Sequence, residues 1–340
     1  MNDDFINKLE CFMRNYRPKN GSDKYSEMLK WKENFIPKML YRHRAVNDYS
    51  LKNLRENTVW LSSPDEFNDP FDTVFSCESQ EQRLIDITKK SASTAGTPPD
   101  LLGTVIDVVK DEMATRNTEF YDFTRKNMGV LCFSTVKDSI LMWSHYADFH
   151  KGFSLGYDTS AFTEKSHTNC LYPVIYSDIM FDFWKHMGDV LNDNINHCAT
   201  KLAAMYKSTS WKYENEWRLI WSGLGGLGII NNAINFPQPT EIYLGAKISY
   251  EHTKSILDCI KNKNIKVYKM QLANNSFQLV AKDFTEVDEK MLDFKPILDE
   301  LKKMHANRDN MNQKERDDFD KTIQDLKKEL VEMRDANAKT

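Results

Sequence analysis

The chain has 340 residues, of which 46 are basic and 50 acidic, and 41% of its residues are apolar. This composition is sufficient for a hydrophobic core and excludes collagen-like, disordered and small disulfide-stabilised proteins. A formal charge of −4 lacks the basic excess that non-specific binding to duplex nucleic acid requires. Only a local basic patch could therefore bind nucleic acid.

Cysteine spacing and hydropathy bear on where the protein works. Six cysteines occur without a Cys-x-x-Cys pair, and the first residues do not resemble an export signal. Both features predict a reducing, cytoplasmic environment. No apolar run reaches the roughly 18–20 residues of a membrane helix, so we expect no membrane association. No spacing of histidines and cysteines predicts a metal site.

Apolar periodicity and turn residues predict the elements along the chain. The helices are two short ones between residues 3 and 35, separated by a turn at 18–21, and then Ser50 to about Asn57, Ile140–Ala147 with Asp138 or Ser139 as its cap, about Asp182 to Lys207, and Ser249 to about Lys263. The strands are Met39–Arg44, Thr58–Ser62, Val130–Ser134, Phe153–Asp158, Trp217–Ser222, 228–236, Glu241–Gly245 and Val267–Leu272. The last two strands and the helix between them form a predicted βαβ unit.

Three short features mark connections between elements. Ser63-Pro64-Asp65-Glu66 has the pattern of a capping box at the start of a helical turn. Residues 91–100 are small, polar and proline-containing, which predicts a surface loop between helices. Residues 223–228 fit the Gly-x-Gly-x-x-Gly pattern of dinucleotide sites, but no helical pattern follows. A glycine-rich hairpin loop is therefore the preferred interpretation of this segment.

The C-terminal segment differs from the rest of the chain. Apolar residues at heptad spacing occur at Phe319, Ile323, Leu326, Leu330 and Met333. This seam is shorter than an autonomous coiled coil needs, so the helix either packs on its own body or joins a homo-oligomer. We divide the chain into a helical N-terminal extension (1–38), an α+β domain (39–295) and a charged C-terminal helix (296–340).

Three segments, distant along the chain, combine aromatic and polar residues beyond what core packing requires. They are residues 41–44 with 60–72, residues 132–134 with 142–153, and residues 207–220. Because side chains alternate along a strand, Arg42 and Arg44 share one face, as Glu214 and Glu216 do. The sequence thus predicts paired cations on one strand and paired carboxylates on another.

These segments resemble an uncharacterised bacterial family, the domain of unknown function 2971. The shared motifs are Ser-Ser-Pro-x-x-Phe-Asn-Asp-Pro-Phe from Ser62, Cys-Phe-Ser from Cys132, Met-Trp-Ser-His-Tyr-Ala-x-x-His-x-Gly-Phe from Met142, and Trp-x-Tyr-Glu-x-Glu-Trp-Arg from Trp211. The resemblance covers roughly residues 39–285. His43 departs from the family pattern, where an aromatic residue is expected, so no stacking role is implied for it.

The order of the parts is similar, more distantly, to ADP-ribosyltransferase folds, which split NAD at the nicotinamide bond. This resemblance implies a central mixed or antiparallel sheet flanked by helices, with NAD as the substrate. It implies that Glu216 contacts the ribose and stabilises oxocarbenium-like charge, with Glu214 as its upstream partner and Arg44 as the strand-one base. The further nucleotide-binding candidates that it implies are Tyr41, Arg42, Ser62, Ser63, Ser134, Trp143, His145 and Tyr146.

The residue types suit that chemistry. Breaking a glycosidic C–N bond builds positive charge on the sugar, which a fixed carboxylate stabilises. A guanidinium fork suits diphosphate oxygens. Either Ser62 or Ser134 would position a ribose hydroxyl, and the sequence does not decide between them. Tyr41, Trp143 or Tyr146 would supply a face for stacking.

The same residues have structural interpretations that the sequence leaves open. These are ion pairs of Glu214 and Glu216 with Lys212 and Arg218 on an exposed face, a salt bridge from Arg44 to Asp69, and core packing of Trp143 and Tyr146. They require no ligand. Distinguishing them from a binding site requires knowing whether the three segments meet in space.

The leading hypothesis is an NAD-consuming ADP-ribosyltransferase-like enzyme, NAD glycohydrolase or toxin that acts in bacterial stress or phage defence. Its acceptor is left open between a protein, a nucleic acid, a small molecule and water. The alternative is a non-catalytic sensor or interaction module that binds a small nucleotide or a peptide. A hydrolase or nuclease is less well supported, because no nucleophile–base pair or metal spacing indicates one.

Overall fold

The computed structural model describes residues 3–17, 22–189, 194–196, 198–222, 232–285, 288, 292, 299, 301–303, 305–306 and 311–337. Its helices are α1 (Asp3–Asn15), α2 (Ser22–Glu33), α3 (Asp48–Glu56), α4 (Glu78–Ala95), α5 (Pro99–Lys126), α6 (Ile140–Tyr146), α7 (Lys165–Cys170), α8 (Phe183–Met187), α9 (Ala199–Met205), α10 (Tyr250–Ile260) and α11 (Gln313–Asn337). Short 3₁₀ turns occur at Pro64–Glu66, Thr159–Ala161 and Thr209–Glu214.

The strands are β1 (Met39–Arg44), β2 (Thr58–Leu61), β3 (Met128–Ser134), β4 (Phe153–Asp158), β5 (Leu171–Pro173), β6 (Ile175–Tyr176), β7 (Gly188–Asp189), β8 (Asn194–Ile195), β9 (Tyr206–Lys207), β10 (Glu216–Ser222), β11 (Asn232–Asn235), β12 (Glu241–Leu244), β13 (Lys266–Leu272) and β14 (Leu279–Asp283). Eight of them form one sheet in the order β14-β13-β12-β4-β1-β3-β10-β5. Only β12 and β13 pair in parallel there. The predicted α+β class with a mixed central sheet is confirmed.

Strands β1 and β3 separate soon after they meet. Their described pairing is Tyr41 with Ser134, whereas β4 pairs with β1 from Met39 to Arg44. Farther along β3, Val130 pairs instead with Ser62, through N–H···O bonds of 3.1 and 2.9 Å. The sheet is therefore open between β1 and β3.

The N-terminal helices share the core of the sheet. Phe5, Leu9 and Met13 are buried along one face of α1, at the spacing that aligns side chains on a helix. The Phe5 ring stacks on Trp217 of β10 at a centroid distance of 6.1 Å. Burying such aromatic area is a main source of stability. The predicted domain boundaries stay predictions, but α1 contributes to the core of the α+β domain.

Several predicted elements are confirmed, and others are wrong. The βαβ unit is confirmed, since β12 and β13 are parallel and Ser249 caps α10 by accepting from the His252 amide at 3.1 Å. The long helix from Asp182 to Lys207 is wrong, because it is divided into α8, the β7–β8 pair and α9. Gly188 interrupts it, and glycine is among the poorest helix formers.

The turn after β2 forms with different hydrogen bonds from those predicted. Pro64–Glu66 is a 3₁₀ turn, but Ser63 Oγ does not cap it. That hydroxyl donates instead to the Arg125 carbonyl at 2.8 Å, which ties the turn to the end of α5. The predicted loop at 91–100 is shorter than expected, since α4 extends to Ala95. The glycine motif at 223–228 and the predicted turn at 18–21 lie outside the described residues.

The C-terminal helix is present as α11, with Phe319 and Leu326 buried. Whether it also joins a second copy stays a prediction. Among the described residues, no helix combines the length and hydropathy needed to span a bilayer.

Two glycines predict opposite effects of the same substitution. A Cβ on Gly152 would lie 2.1 Å from the Arg44 carbonyl oxygen and 2.9 Å from that of Ala147, both backbone atoms. We expect Gly152→Ala to lower the free energy of unfolding by about 1–3 kcal/mol or more. Gly103, inside α5, has nothing within 4 Å of its Cβ position, so Gly103→Ala is expected to raise it by about 0.5–1 kcal/mol. Urea denaturation measures both, and equal effects would contradict the packing described here.

Candidate functional site

A cavity of about 410 Å³ occupies the opening between β1 and β3. Its lining residues are Tyr41, Arg42, His43, Arg44, Ser62, Glu66, Phe67, Asn68, Asp72, Val130, Cys132, Phe133, Ser134, Met142, His145, Tyr146, Lys207, Glu214, Glu216 and Arg218. All three segments singled out in the sequence contribute to it. A larger and more open groove along α4, of about 1170 Å³, contains none of the predicted site residues.

The cavity reaches both faces of the sheet. Four consecutive residues of β1, from Tyr41 to Arg44, line it. Alternate residues of a strand point to opposite faces, so Tyr41 and His43 face one side while Arg42 and Arg44 face the other. This arrangement is possible because β3 has already separated from β1.

Lys207 is buried among carboxylates at one side of the cavity. Its Nζ lies 2.6 Å from Glu214 Oε2, 3.0 Å from Glu216 Oε2 and 3.6 Å from Asp72 Oδ2. Lys207 lies in β9, which directly follows the buried helix α9. Asn215 adopts a left-handed conformation with φ 46°. That turn brings Glu214 beside Glu216, the first residue of β10. The prediction that one strand carries both carboxylates is wrong, because Glu214 is the last residue of a 3₁₀ turn.

Arg218 completes this ion network from the same face of β10 as Glu216. Its Nη1 and Nη2 each lie 2.6 Å from an oxygen of Asp72, a two-pronged pairing. Its Nε lies 2.8 Å from Glu216 Oε1, and Nη1 also donates to the Ala204 carbonyl at 2.8 Å. Arg218 is 0% exposed. Ion pairs this deeply buried persist only when hydrogen bonds satisfy the charged groups, as they do here.

The network separates the acidities of its two glutamates. Burial, together with the charge of Glu216, raises the pKa of Glu214 to about 7. Burial also opposes ionisation of Glu216, but the charges of Arg218 and Lys207 outweigh it and hold the pKa of Glu216 well below its usual range. The surrounding cations therefore favour the ionised form of Glu216 at neutral pH, whereas the raised pKa of Glu214 lies close to neutrality.

Two cavity residues position Glu214. The Tyr146 hydroxyl donates to Glu214 Oε1 at 2.6 Å, so α6 contacts the carboxyl directly. Ser134 Oγ donates to the Glu214 backbone carbonyl at 2.7 Å and accepts from the Val136 amide at 3.1 Å. Since Ser134 is engaged in holding this backbone, Ser62 is the better placed of the two candidate serines to contact a ligand.

Arg42 and Arg44 line the cavity without an acidic partner. Within the part of the chain that the structure describes, neither guanidinium forms an ion pair or donates a hydrogen bond. Both side chains are half-buried. Burial, and then the charge of Arg44, lower the pKa of Arg42 to about 9, which still leaves it charged at neutral pH. The predicted salt bridge from Arg44 to Asp69 is wrong, since Asp69 Oδ1 instead accepts from the Phe71 amide at 2.9 Å.

Two predicted site residues lie outside the lining. Trp143 is 0% exposed and donates from Nε1 to the Lys137 carbonyl at 2.7 Å, so core packing is confirmed for it. It supports the cavity indirectly, because its ring and that of the lining residue His43 pack in a T-shaped arrangement with centroids 5.1 Å apart. Burial lowers the pKa of His43 to about 4. Ser63, tied to Arg125, is the second residue outside.

The other predicted residues all line the cavity, although their roles stay predictions. Tyr41 packs edge-on against Tyr243 at 5.8 Å. His145, exposed on α6, lies 6.1 Å from the ring of Tyr213. The exposed-face interpretation of the glutamates is wrong. Both are 3% exposed, and their lysine partner is Lys207 rather than Lys212.

Sequence reasoning named Arg218 as an ion-pair partner of the glutamates but missed the roles of Asp72 and Lys207. Arg218 had a usable signal, because residues two apart on a strand share a face and Glu216 is the other one. Lys207 and Asp72 had none, since tertiary folding alone brings them together. Thr73, next to Asp72, is fully buried with φ 61°, a strained conformation for a β-branched residue. Its hydroxyl donates to Asp72 Oδ1 at 3.0 Å.

The site supplies no recognisable metal centre, since the described residues contain no group of three or more His, Cys, Asp or Glu arranged for one. The lining instead provides arginines, aromatic side chains and carboxyl groups. The cavity thus offers cations on one face of the sheet and a titratable carboxyl on the other.

A family model described as "Protein of unknown function (DUF2971)" matches residues 142–219. The match spans α6 to β10 and includes Tyr146, Glu214 and Glu216, and it confirms the predicted resemblance over this segment. Neither the curated proteins nor the solved structures contain a match. The similarity to ADP-ribosyltransferase folds stays a prediction.

The ion network predicts unequal costs for removing two arginines. Arg218→Leu leaves Asp72 and Glu216 buried with too little positive charge, which typically costs about 3–5 kcal/mol. Arg116 pairs with Glu112 at 2.8 Å on the surface, with 70% of its side chain exposed, so Arg116→Leu is expected to cost about 0–1 kcal/mol. Guanidinium denaturation compares the two. Similar small losses would show that the buried network is not needed for folding.

Glu214 predicts a specific pH dependence of stability. Its folded pKa of about 7 exceeds that of an unfolded glutamate, so the folded state binds the extra proton. Its contribution is fully present below pH 4.5 and is lost as the pH rises through 7. Glu216 is ionised throughout this range. His43 is present in both the wild type and a Glu214→Gln variant, so its titration cancels when the two are compared.

We therefore expect the unfolding free energy of wild type, relative to Glu214→Gln, to fall on the order of 2–3 kcal/mol between pH 5 and pH 8. Urea unfolding at one-unit pH intervals provides the comparison. A difference that stays constant or rises with pH contradicts a raised pKa for Glu214.

Proposed function

We propose that the protein is an NAD-consuming, ADP-ribosyltransferase-like enzyme that breaks the bond between nicotinamide and ribose. The observation that carries this proposal is a single cavity that joins two arginines without acidic partners to a buried glutamate pair. The two arginines suit anionic phosphates, and the glutamate pair suits a ribose that acquires positive charge. The role in stress or phage defence remains a prediction from the sequence.

The two glutamates have different parts in this chemistry. Glu216 stays ionised and supplies fixed negative charge at the wall where the ribose becomes oxocarbenium-like. Glu214, with a pKa of about 7, is suited to accept a proton at physiological pH. Lys207 holds both carboxyl groups, at 2.6 and 3.0 Å, so the pair is positioned before any ligand binds.

The proposed step balances as follows. The C–N bond from ribose to nicotinamide breaks, and its electron pair stays on the pyridinium nitrogen, which leaves as neutral nicotinamide. An acceptor oxygen or nitrogen forms the new bond to the same ribose carbon, and its proton passes to the Glu214 carboxylate. Water as the acceptor would give free ADP-ribose, and a macromolecule would give a modified product.

Nicotinamide release tests the proposal. Full-length protein is incubated with NAD, with and without bacterial lysate as a source of acceptors, and nicotinamide is quantified by chromatography. Glu214→Gln keeps the acceptor oxygen for Tyr146 but cannot take a proton, so we expect kcat to fall about 10²- to 10⁴-fold. The matched control is Glu112→Gln, a surface glutamate on α5, which should leave the rate unchanged.

The structure argues against using Glu216→Ala as the decisive variant. Removing a carboxylate that contacts both Arg218 and Lys207 leaves buried cations unbalanced, so lost activity could reflect unfolding. If wild type releases no nicotinamide under either condition, the enzymatic proposal is wrong.

A second candidate function is a non-catalytic sensor that binds a nucleotide in the same cavity. The observation that favours it is that Arg218 and Lys207 already occupy both oxygens of Glu216, which reduces its capacity to stabilise a reacting sugar. A sensor would gain thermal stability with NAD while leaving NAD intact. The nicotinamide assay and a thermal melt on the same samples distinguish the two functions.

A further inference from the structure

Arg42 and Arg44 are unusual because they are partly buried and yet neither forms an ion pair with an acidic side chain of the described residues. Both are half-buried in the cavity wall, and burial lowers the pKa of each. The charge of Arg44 adds to the shift of Arg42, and no carboxylate contributes to offset it. Two like charges held together without an acid are unfavourable in the empty protein. A compensating anion would relieve that cost.

Among the described residues, no carboxylate forms an ion pair with either arginine. The charge of Tyr157 on β4 would raise the pKa of both arginines. Burial, however, raises the pKa of Tyr157 itself to about 12, so this side chain is neutral at physiological pH. Asp72, Glu214 and Glu216 are engaged by Lys207 and Arg218 on the opposite side of β1. Glu66, the other carboxylate of the lining, is exposed and forms no ion pair with either arginine. An anionic ligand would therefore supply the counter-charge that the described residues do not place on the two guanidinium groups.

We infer that Arg42 and Arg44 form a subsite for a diphosphate group. Residues two apart on a strand share a face and lie about 6.6 Å apart along it, so the guanidinium groups can be directed at one ligand. Each guanidinium fork pairs with two oxygens. Two forks therefore take four oxygens, which a diphosphate diester provides on its two phosphorus atoms and a phosphate monoester, with three terminal oxygens, does not.

The inference deepens the proposed function by naming its substrate class, but the subsite does not depend on turnover. A diphosphate here would place the rest of a dinucleotide toward the opening between β1 and β3, in the direction of Tyr146 and Glu214. It would equally serve the sensor, and it would bind inorganic diphosphate that has no glycosidic bond at all. Binding and nicotinamide release can therefore succeed or fail separately.

Calorimetric titration of the full chain tests the subsite. The probes are inorganic diphosphate, ADP, AMP and adenosine, at one ionic strength. We expect diphosphate and ADP to bind, AMP to bind about tenfold more weakly, and adenosine not to bind measurably. Diphosphate and ADP together distinguish recognition of the group itself from recognition of the nucleoside. Binding of adenosine as tight as ADP, or no binding of diphosphate and ADP, would overturn the inference.

Variants assign the binding to the two side chains. Arg42→Gln and Arg44→Gln should each weaken diphosphate binding about 10- to 100-fold, with a melting temperature equal to or above that of wild type, because an uncompensated charge has been removed. Arg116→Gln, the same change on the surface of α5, should alter neither. Loss of stability in both Gln variants, with unchanged diphosphate binding, would show the arginines to be structural.

The lysine variants cover the case in which a Gln variant does not fold. Arg42→Lys and Arg44→Lys keep the charge but lose the planar fork. Each should keep its fold and lose the preference for diphosphate over phosphate. An unchanged preference in both would contradict a two-fork subsite, whatever the Gln variants do.

Discussion

Lys207 is buried between the carboxylates of Glu214 and Glu216, and Arg218 forms ion pairs with both Glu216 and Asp72. Charges in such a position are expensive to desolvate, and they are tolerated because each has a partner at hydrogen-bond distance. The network joins the segment after β2, the end of α9 and the start of β10. Much of the site's geometry follows from satisfying these few charges.

The same network explains why the two glutamates differ. Glu216 has two cationic partners and stays ionised, whereas Glu214 shares Lys207 and has the neutral Tyr146 as its other contact. Neighbouring acids with separated acidities are a common feature of sites that move protons. The strained backbone at Thr73 and the left-handed turn at Asn215 lie beside network residues, as expected where folding free energy is spent on holding a site.

The opening between β1 and β3 has a separate consequence. It allows consecutive residues of β1 to line one cavity, so Arg42 and Arg44 approach it from the core side while His43 approaches from the side of Glu216. A continuous sheet would keep Arg42 and Arg44 on the opposite side from His43 and Glu216. Unlike Asp72, Glu214 and Glu216, the two arginines form no ion pair among the described residues. This contrast makes a ligand-binding interpretation more specific than the presence of charged residues alone.

The sequence by itself determined six of the eight strands of the central sheet, the capped helix α10, the mixed α+β class and most of the predicted residues that line the cavity, because periodicity, capping and turn chemistry are local. It could not determine that Trp143 is buried, that Lys207 rather than Lys212 holds the glutamates, or that Asp72 faces Arg218. Those outcomes depend on which distant elements meet. Only the tertiary structure decides that, because burial and charge pairing depend on separation in space rather than along the chain.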